Sequence, residues 1–542
     1  MVENEIDKYS ISLKMSLDYL KENYSESTYK YLKEELLKIG DYTTYDQDTY
    51  IPTYNILQQI LSDINEKGLF RKVKGVYYTP TDVVNYIVEN SINIWSEGVI
   101  NQSEKDESYR FSYEDICFKC KILDPTSGLG EFILGALDYK FDLLDEHKQQ
   151  PEFDDIIKIV RTVYCNDISE ESIKITKLRI FLYILNRYGS FFTCRVIDTL
   201  NRNFTTYDFI TDKTSKKYDI IIGNPPYVED RKSGLDLNVR YGNIYANVLE
   251  NASNILNPKG VLGFVIPISY ISTPRMSPIR TVMYKKFKKH YILSFSDRPD
   301  SLFSSVHQKL CITFFGNSGE NHELYTSSYK YWYKSERDEL FDELSLTKNE
   351  FENSKFIPKL GDDYSTFIYK KITNGEVSLK DYINELNGEN LYLNMRAAFW
   401  IKVFDYPQKS SEYKQFICKP EDVDYIYCLL NSSLFWWFWV CVSDCWHITI
   451  KELTTFKVLS AENYMIELSK LANKLKSRLE ETKVYVGTKQ IDYEYKHRDC
   501  IDTIHEIDDV INKIYGLSEK ESEYIKSFAL KYRVGGKTKW KQ

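Results

Sequence analysis

No stretch of the sequence offers the ~20 consecutive apolar residues that a membrane-spanning helix requires. The most apolar one, Ile426 to Val442, is interrupted by Asn431, Ser432 and Ser433 and predicts a buried helix. Met1 to Lys14 is charged and has no apolar core of the kind an export signal needs. The ten cysteines are scattered rather than spaced as a disulfide framework, so a reducing cytoplasm is the simplest setting. Metal-ligand sets are equally incomplete. Cys117 and Cys120 form one C-x-x-C with no second pair, and Cys441, Cys445 and His447 have no evident fourth ligand. Both groups read as ordinary thiols, and no metal is expected. A formal net charge of -8 excludes a chain coated in basic charge but leaves room for a local basic face. There is no internal repeat, no low-complexity tract, no G-x-G-x-x-G motif and no Pro-Cys pair.

What is present suffices for large cores. Hydrophobic residues make up 43% and aromatics 15% of 542 residues, which excludes a wholly disordered chain and predicts two to four domains. Residues 1–70 read as a helical segment, with Ile11, Leu13, Leu17 and Leu20 at near-helical spacing. Residues 71–320 alternate apolar strands with helices. The strands expected are 119–124, 163–167, 193–197, 218–223 and 260–267, closed by a pair at 291–295 and 310–315. That alternation predicts an α/β fold with a doubly wound, mostly parallel sheet, which binds ligands at the carboxyl ends of its strands. Residues 321–542 lose the alternation, are rich in aromatics, and turn helical again near 461–530.

The strongest chemical signal is Gly223-Asn224-Pro225-Pro226-Tyr227, directly after the apolar strand YDIIIG. Two prolines cannot continue a ladder, so the chain must leave the sheet there. A rigid turn would hold the Asn224 amide and the carbonyl of Pro225 as acceptors for an exocyclic NH2, with the Tyr227 ring beside them. That array suits a planar amine. Upstream, Asp124-Pro125-Thr126-Ser127-Gly128-Leu129-Gly130-Glu131-Phe132 is a strand end, a glycine turn and a helix start. Its glycines allow close backbone approach to a ligand. Asp124, Asp167 and Asp198 are each placed at the end of a successive expected strand. Singly, each is what a helix cap or solvated turn supplies. Together, ahead of the Asn-Pro-Pro-Tyr turn, they suit a cationic group, ribose hydroxyls and an adenine amine.

The series Gly75-Val76-Tyr77-Tyr78-Thr79-Pro80, then DPTSGLGEF, then the acids, then NPPY resembles the gamma-order N6-adenine DNA methyltransferases. The resemblance covers roughly residues 71–316. It implies a seven-stranded Rossmann-like methyltransferase sheet, with residues 321–542 forming an α+β target-recognition domain. It implies S-adenosylmethionine as methyl donor. Tyr78, Thr79 and Asp124 would lie near its methionine end, Asp167 at its ribose, and Asp198 with Thr199 at its adenine. Tyr77, Pro80, Pro125, Thr126, Gly128, Gly130, Phe132, Ile168 and Asn224 would complete the cofactor contacts. Phe303 is placed by context as a second aromatic on the target base, with Phe295 as a competitor. The implied partner is double-stranded DNA, with or without a separate restriction endonuclease, and the implied setting is a prokaryotic cytoplasm.

Rival readings share the turn. Enzymes that methylate RNA or a protein glutamine also present NPPY to a planar amine, but the 227 residues after Phe315 exceed what a bare catalytic domain requires. A cytosine-C5 enzyme would need a nucleophilic cysteine, typically after proline. A fused nuclease would need a metal site; Asp405, Glu412 and Lys414 make only a loose D…E-x-K, and the 74 residues before Gly75 are short for a nuclease domain. A non-enzymatic DNA-binding protein leaves the cofactor turn unexplained. DNA binding at net charge -8 needs segregated cations, for which Arg231, Lys232, Arg275, Arg280, Lys285, Lys286, Lys288, Lys289 and the C-terminal tail are candidates.

Overall fold

The computed structural model describes residues 7–44, 51, 53–64, 79–103, 110–303, 307–351 and 355–535. One large sheet organises the chain. Its strands are β1 (Ile122–Asp124), β2 (Val163–Asp167), β3 (Phe204–Thr206), β4 (Tyr218–Gly223), β5 (Leu256–Pro267), β6 (Lys289–Phe295), β7 (Leu310–Gly316), β8 (Glu323–Lys330) and β9 (Thr347–Lys348). They lie in the order β3-β2-β1-β4-β5-β7-β6-β8-β9. The first five are mutually parallel, and β7 runs antiparallel to both β5 and β6. This is the expected seven-stranded Rossmann-like order, extended beyond β6 by two further strands.

The apolar runs explain the layering. In β4 and β5 nearly every residue from Ile220 and Val261 onward is buried on both faces, the pattern of a parallel sheet covered by helices on each side. Helix Thr81–Ser103 covers one face of these two strands and helix Tyr245–Asn254 the other. The expected strand 193–197 does not form. Ser190–Thr193 is a short 3-10 turn and Val196–Asn203 is a helix. Val196, Ile197 and Leu200 bury one face of it, and this i, i+1, i+4 spacing is helical. The third strand is the three-residue β3 at the sheet's end, too short to show a period.

Three N-terminal helices, Lys8–Asn23, Glu26–Leu37 and Tyr54–Asp63, are capped by Asp7, Ser25 and Thr53. Leu13, Leu20, Leu36 and Leu57 share one core with Ile173, Leu178 and Leu182 of helix Glu170–Tyr188. Gln58 both accepts from Arg179 (3.2 Å) and donates to its carbonyl (3.1 Å).

The sheet does not stop at residue 320, where a boundary is expected. β8 pairs with β6 along its length, and β9 pairs with β8 through residue 348. Beyond it lie a small antiparallel sheet of β10 (Glu389–Asn394), β11 (Val403–Phe404) and β12 (Tyr413–Cys418) and a helical C-terminal part. The apolar stretch forms two helices, Val423–Asn431 and Ser433–Val442, bent by 60° at Ser432. Every residue of the second is buried. Among the described residues, no single helix is long and apolar enough to cross a membrane.

The buried polar groups give stability a pH dependence. Burial pushes His290 down to about 4 and His497 down to about 3. Their neutral forms therefore stabilise the fold fully above their unfolded pKa of about 6.5, and that stability is lost as pH falls toward those values. Asp508, pushed up to about 6 by burial, works in the opposite sense below pH 6. His505, also lowered to about 4 by burial, acts with these histidines, and the raised, buried Asp124 acts with Asp508. Three histidines outweigh two carboxyls, so lowering pH from about 7 to 5 should cost on the order of 1–2 kcal/mol. Urea midpoints at the two pH values check this; a midpoint that rises on acidification contradicts it.

Candidate functional site at the carboxyl edge of the sheet

β1, β2, β3, β4 and β5 all end on one edge, so their following residues meet there. Asp124 closes β1 and is buried. Its Oδ1 accepts from the Thr126 amide at 3.0 Å. Burial pushes its carboxyl well above the ordinary range; the Thr126 amide opposes this, and the nearby Asp167 carboxylate adds to it. Asp167 closes β2 and accepts from two loops: Oδ2 from the Gly128 amide and Oδ1 from the Ser169 amide, both at 2.9 Å. Ile168, next to it, is 69% exposed, unusual for an isoleucine at a loop start.

The glycine turn takes its shape from left-handed residues. Gly128 and Gly130 have φ of +54° and +85°, a region that favours glycine. A Cβ on Gly130 would lie 2.3 Å from Thr176 Cγ2, whereas one on Gly128 would meet nothing within 4 Å. Gly130 is thus packed and Gly128 faces open space. Arg179 fastens the turn from below, donating to the Leu129 carbonyl (2.6 Å) and to Glu131 (2.5 Å). Gln58 holds Arg179 in turn, so the N-terminal helices brace this loop.

The Asn-Pro-Pro-Tyr turn leaves β4 beside β1. A Cβ on Gly223 would come within 2.9 Å of Asp124 Oδ1, which shows how tightly the two strand ends are apposed. Asn224 Nδ2 donates to Thr79 Oγ1 at 3.1 Å. Asn224 Oδ1 is buried and, like Thr126 Oγ1, has no hydrogen-bond partner among the described residues. Tyr227 is half-buried. Its hydroxyl donates to the Val265 carbonyl at 2.8 Å, and its ring meets Tyr245 edge-on. Leaving a buried amide oxygen unsatisfied costs roughly 1–3 kcal/mol, so this oxygen marks where a donor belongs.

Several expected residues stand elsewhere. Asp198 sits exposed in the first turn of helix Val196–Asn203, and Thr199 Oγ1 donates to the Arg195 carbonyl within that helix. The acid that follows the real third strand is Asp208, two residues past β3. Asn166, not singled out in the sequence, ties these loops together: its Nδ2 donates to the carbonyls of both Pro125 and Tyr207 at 3.1 Å. No pattern flags a buried Asn inside a strand except that a polar residue there needs partners. Phe303 is 1% exposed and packs in the core with Leu302 and Leu310, as does Phe295. Neither ring offers a face to a base. Phe132 is likewise core, while Pro80 opens the helix at Thr81, its carbonyl accepting from Val84. Arg280 is buried, donating to the carbonyls of Tyr270 and Thr273, and is not a surface cation. Gly75, Val76, Tyr77, Tyr78 and the tail from 536 lie outside the described residues.

The remaining alternatives do not assemble. Asp405 pairs with Lys476 (3.0 Å) and Glu412 with Arg396 (3.2 Å), so they form no shared carboxylate site. Among the described residues no group of three or more His, Cys, Asp or Glu could hold a metal ion.

Residues 161–303, which include β2 to β6 and the Asn-Pro-Pro-Tyr turn, match the Eco57I restriction-modification methylase family. A putative type II restriction enzyme and methyltransferase from Methanocaldococcus jannaschii is 30% identical over 165 residues, or 24% of this chain and 13% of that protein. The chain therefore corresponds to a minor part of that relative's length. Among solved structures, the Type IIL restriction-modification enzyme MmeI in complex with DNA superposes with a TM-score of 0.53 at 11% identity, covering 97% of this chain and 94% of that one. The DrdV–DNA complex matches at 15% identity with a TM-score of 0.43, over 64% of this chain and 38% of that one. Residues 161–303 thus match the Eco57I restriction-modification methylase family, and they lie in a Rossmann-like sheet within an overall fold like that of MmeI.

Proposed function

We propose that this protein is a site-specific DNA methyltransferase that transfers a methyl group from S-adenosylmethionine to N6 of an adenine turned out of double-stranded DNA, in a prokaryotic cytoplasm. The observation that carries this reading is the buried, unpartnered Asn224 Oδ1 at the carboxyl edge, next to Asp124.

The residues present fit the cofactor. Asp124 offers a carboxylate to a cationic group, Thr126 a free hydroxyl, and Gly128 open space. Asp167 stands where ribose hydroxyls would be held, and the exposed Ile168 offers an apolar face to a base. Asp208 takes the adenine-side role otherwise given to Asp198. S-adenosylmethionine supplies an electrophilic methyl on a sulfonium. The chain's own part is to hold the amine. Asn224 Oδ1 and the Pro225 carbonyl would accept hydrogen bonds from its two N–H groups, and Tyr227 would stack on the ring. As the N–C bond forms the sulfonium C–S bond breaks, leaving the neutral thioether, and one N–H proton passes to solvent. Thr79 fixes which end of the Asn224 carboxamide faces inward. Catalysis then rests on positioning and electrostatics, with no covalent enzyme intermediate. Unstacking the base costs a few kcal/mol, offset by this pocket.

The test is the product: incubation with duplex DNA and labelled S-adenosylmethionine, followed by nucleoside mass spectrometry, should yield N6-methyladenine. Label on cytosine, on RNA alone or on protein glutamine contradicts the reading. The acid assignment has its own check. Asp208→Ala should weaken S-adenosylmethionine binding about tenfold, the 1.4 kcal/mol of one lost hydrogen bond, while Asp198→Ala should leave it unchanged. Calorimetry that finds the reverse would restore Asp198.

A further inference from the structure

The connection from β6 to β7 also lies at the carboxyl edge: Leu310 opens β7 paired with both Phe295 and Pro267. Two cations from this connection lie over one ring of the C-terminal region. The Arg298 guanidinium carbon is 5.5 Å and Lys309 Nζ 4.4 Å from the Trp446 ring centroid. Trp446 is held independently. Its amide and that of His447 donate to Asp444 Oδ1 (2.9 and 2.8 Å), and its carbonyl accepts from Ala397 (3.1 Å).

The two cations are not equivalent. Lys309 is compensated by Asp297 at 3.2 Å. Arg298 is exposed, and among the described residues its guanidinium makes no hydrogen bond or ion pair. A guanidinium held within cation–π range of an aromatic face and spent on no carboxylate keeps its N–H groups available, and an arginine's N–H fork matches the paired oxygens of a phosphate. From β4 to β6 the sheet takes three steps of about 4.8 Å, so the ends of these strands lie about 14 Å apart along the edge. A duplex lying along that edge, at a 3.4 Å rise per base pair, would cover this in about four base pairs.

We propose that Arg298, held over the Trp446 ring, is a phosphodiester contact for DNA lying along this edge, roughly four base pairs from the target adenine. Through it, one backbone phosphate bridges the catalytic sheet and the C-terminal region. The inference rests on the DNA reading above. The test measures affinity of the full chain for a mixed-sequence duplex between about 50 and 200 mM salt. Arg298→Gln should make the slope of log K against log salt shallower by about 0.9, with S-adenosylmethionine binding unchanged. Arg298→Lys should restore the slope, since the charge returns, but not the full affinity, since the fork does not. Trp446→Leu should weaken binding while leaving the slope near that of the wild type. An unchanged slope in Arg298→Gln overturns the contact. A wild-type protein that methylates no DNA and binds duplex without salt dependence overturns the DNA reading itself, and this inference with it.

Discussion

Asn224→Ala is expected to abolish methyl transfer, lowering kcat by at least about 100-fold, while S-adenosylmethionine binding stays within about twofold. Removing one preorganised group aimed at the reacting centre typically costs about 2.7–4 kcal/mol of transition-state stabilisation. The fold should survive, because among the described residues that carboxamide makes a single hydrogen bond, the 3.1 Å donation to Thr79. Thr79→Val should show part of the same loss. Valine keeps the volume but removes the acceptor, so the amide is free to present nitrogen instead of oxygen. Thr79→Ser keeps the acceptor and should rescue the rate. Single-turnover kinetics with separately measured cofactor affinity divides these effects. Wild-type turnover by Asn224→Ala would remove the basis of the proposed chemistry.

The glycine turn gives the second large effect, and a contrast inside it. Gly130→Ala should destabilise the fold by roughly 2–5 kcal/mol. A left-handed alanine costs about 1–2 kcal/mol, and a Cβ 2.3 Å from Thr176 Cγ2 adds the 1–3 kcal/mol typical of overpacking. Gly128→Ala meets no neighbour within 4 Å, so it should cost only the backbone term. Its new methyl group projects into the open space assigned to the cofactor. S-adenosylmethionine affinity should therefore fall in Gly128→Ala with little change in Tm. Equal Tm losses for the two variants would mean that the turn is structural throughout.

Much of this was legible before any coordinates. β2 and β4 carry apolar runs with sharp ends, and both fall where expected. The Asn-Pro-Pro-Tyr turn is legible because two prolines cannot continue a ladder. The third strand was not. TCRVI reads as extended, but Val196, Ile197 and Leu200 cover one face of a helix, and β3 is only three residues long. That single misplacement put Asp198 at a strand end, whereas it lies in the first turn of a helix and the acid after β3 is Asp208. Phe303 failed for a different reason: sequence context gives an aromatic its place in order but not its exposure. The Asn224–Thr79 bond and the bracing of the glycine turn by Gln58 and Arg179 link residues more than a hundred positions apart, which no local pattern encodes.

The two extra strands at the far end of the sheet bear on any exchange of C-terminal regions between relatives. A cut at residue 320 would strip β8 and β9 and leave β6 as a bare outer strand, a template for aggregation. It would also orphan the seam at which Ile357 donates to the Ile271 carbonyl and Lys451 to that of Ser272. A chimaera joined after residue 348 keeps the ladder closed, although the seam contacts of residues 357 and 451 must then be matched by the incoming segment.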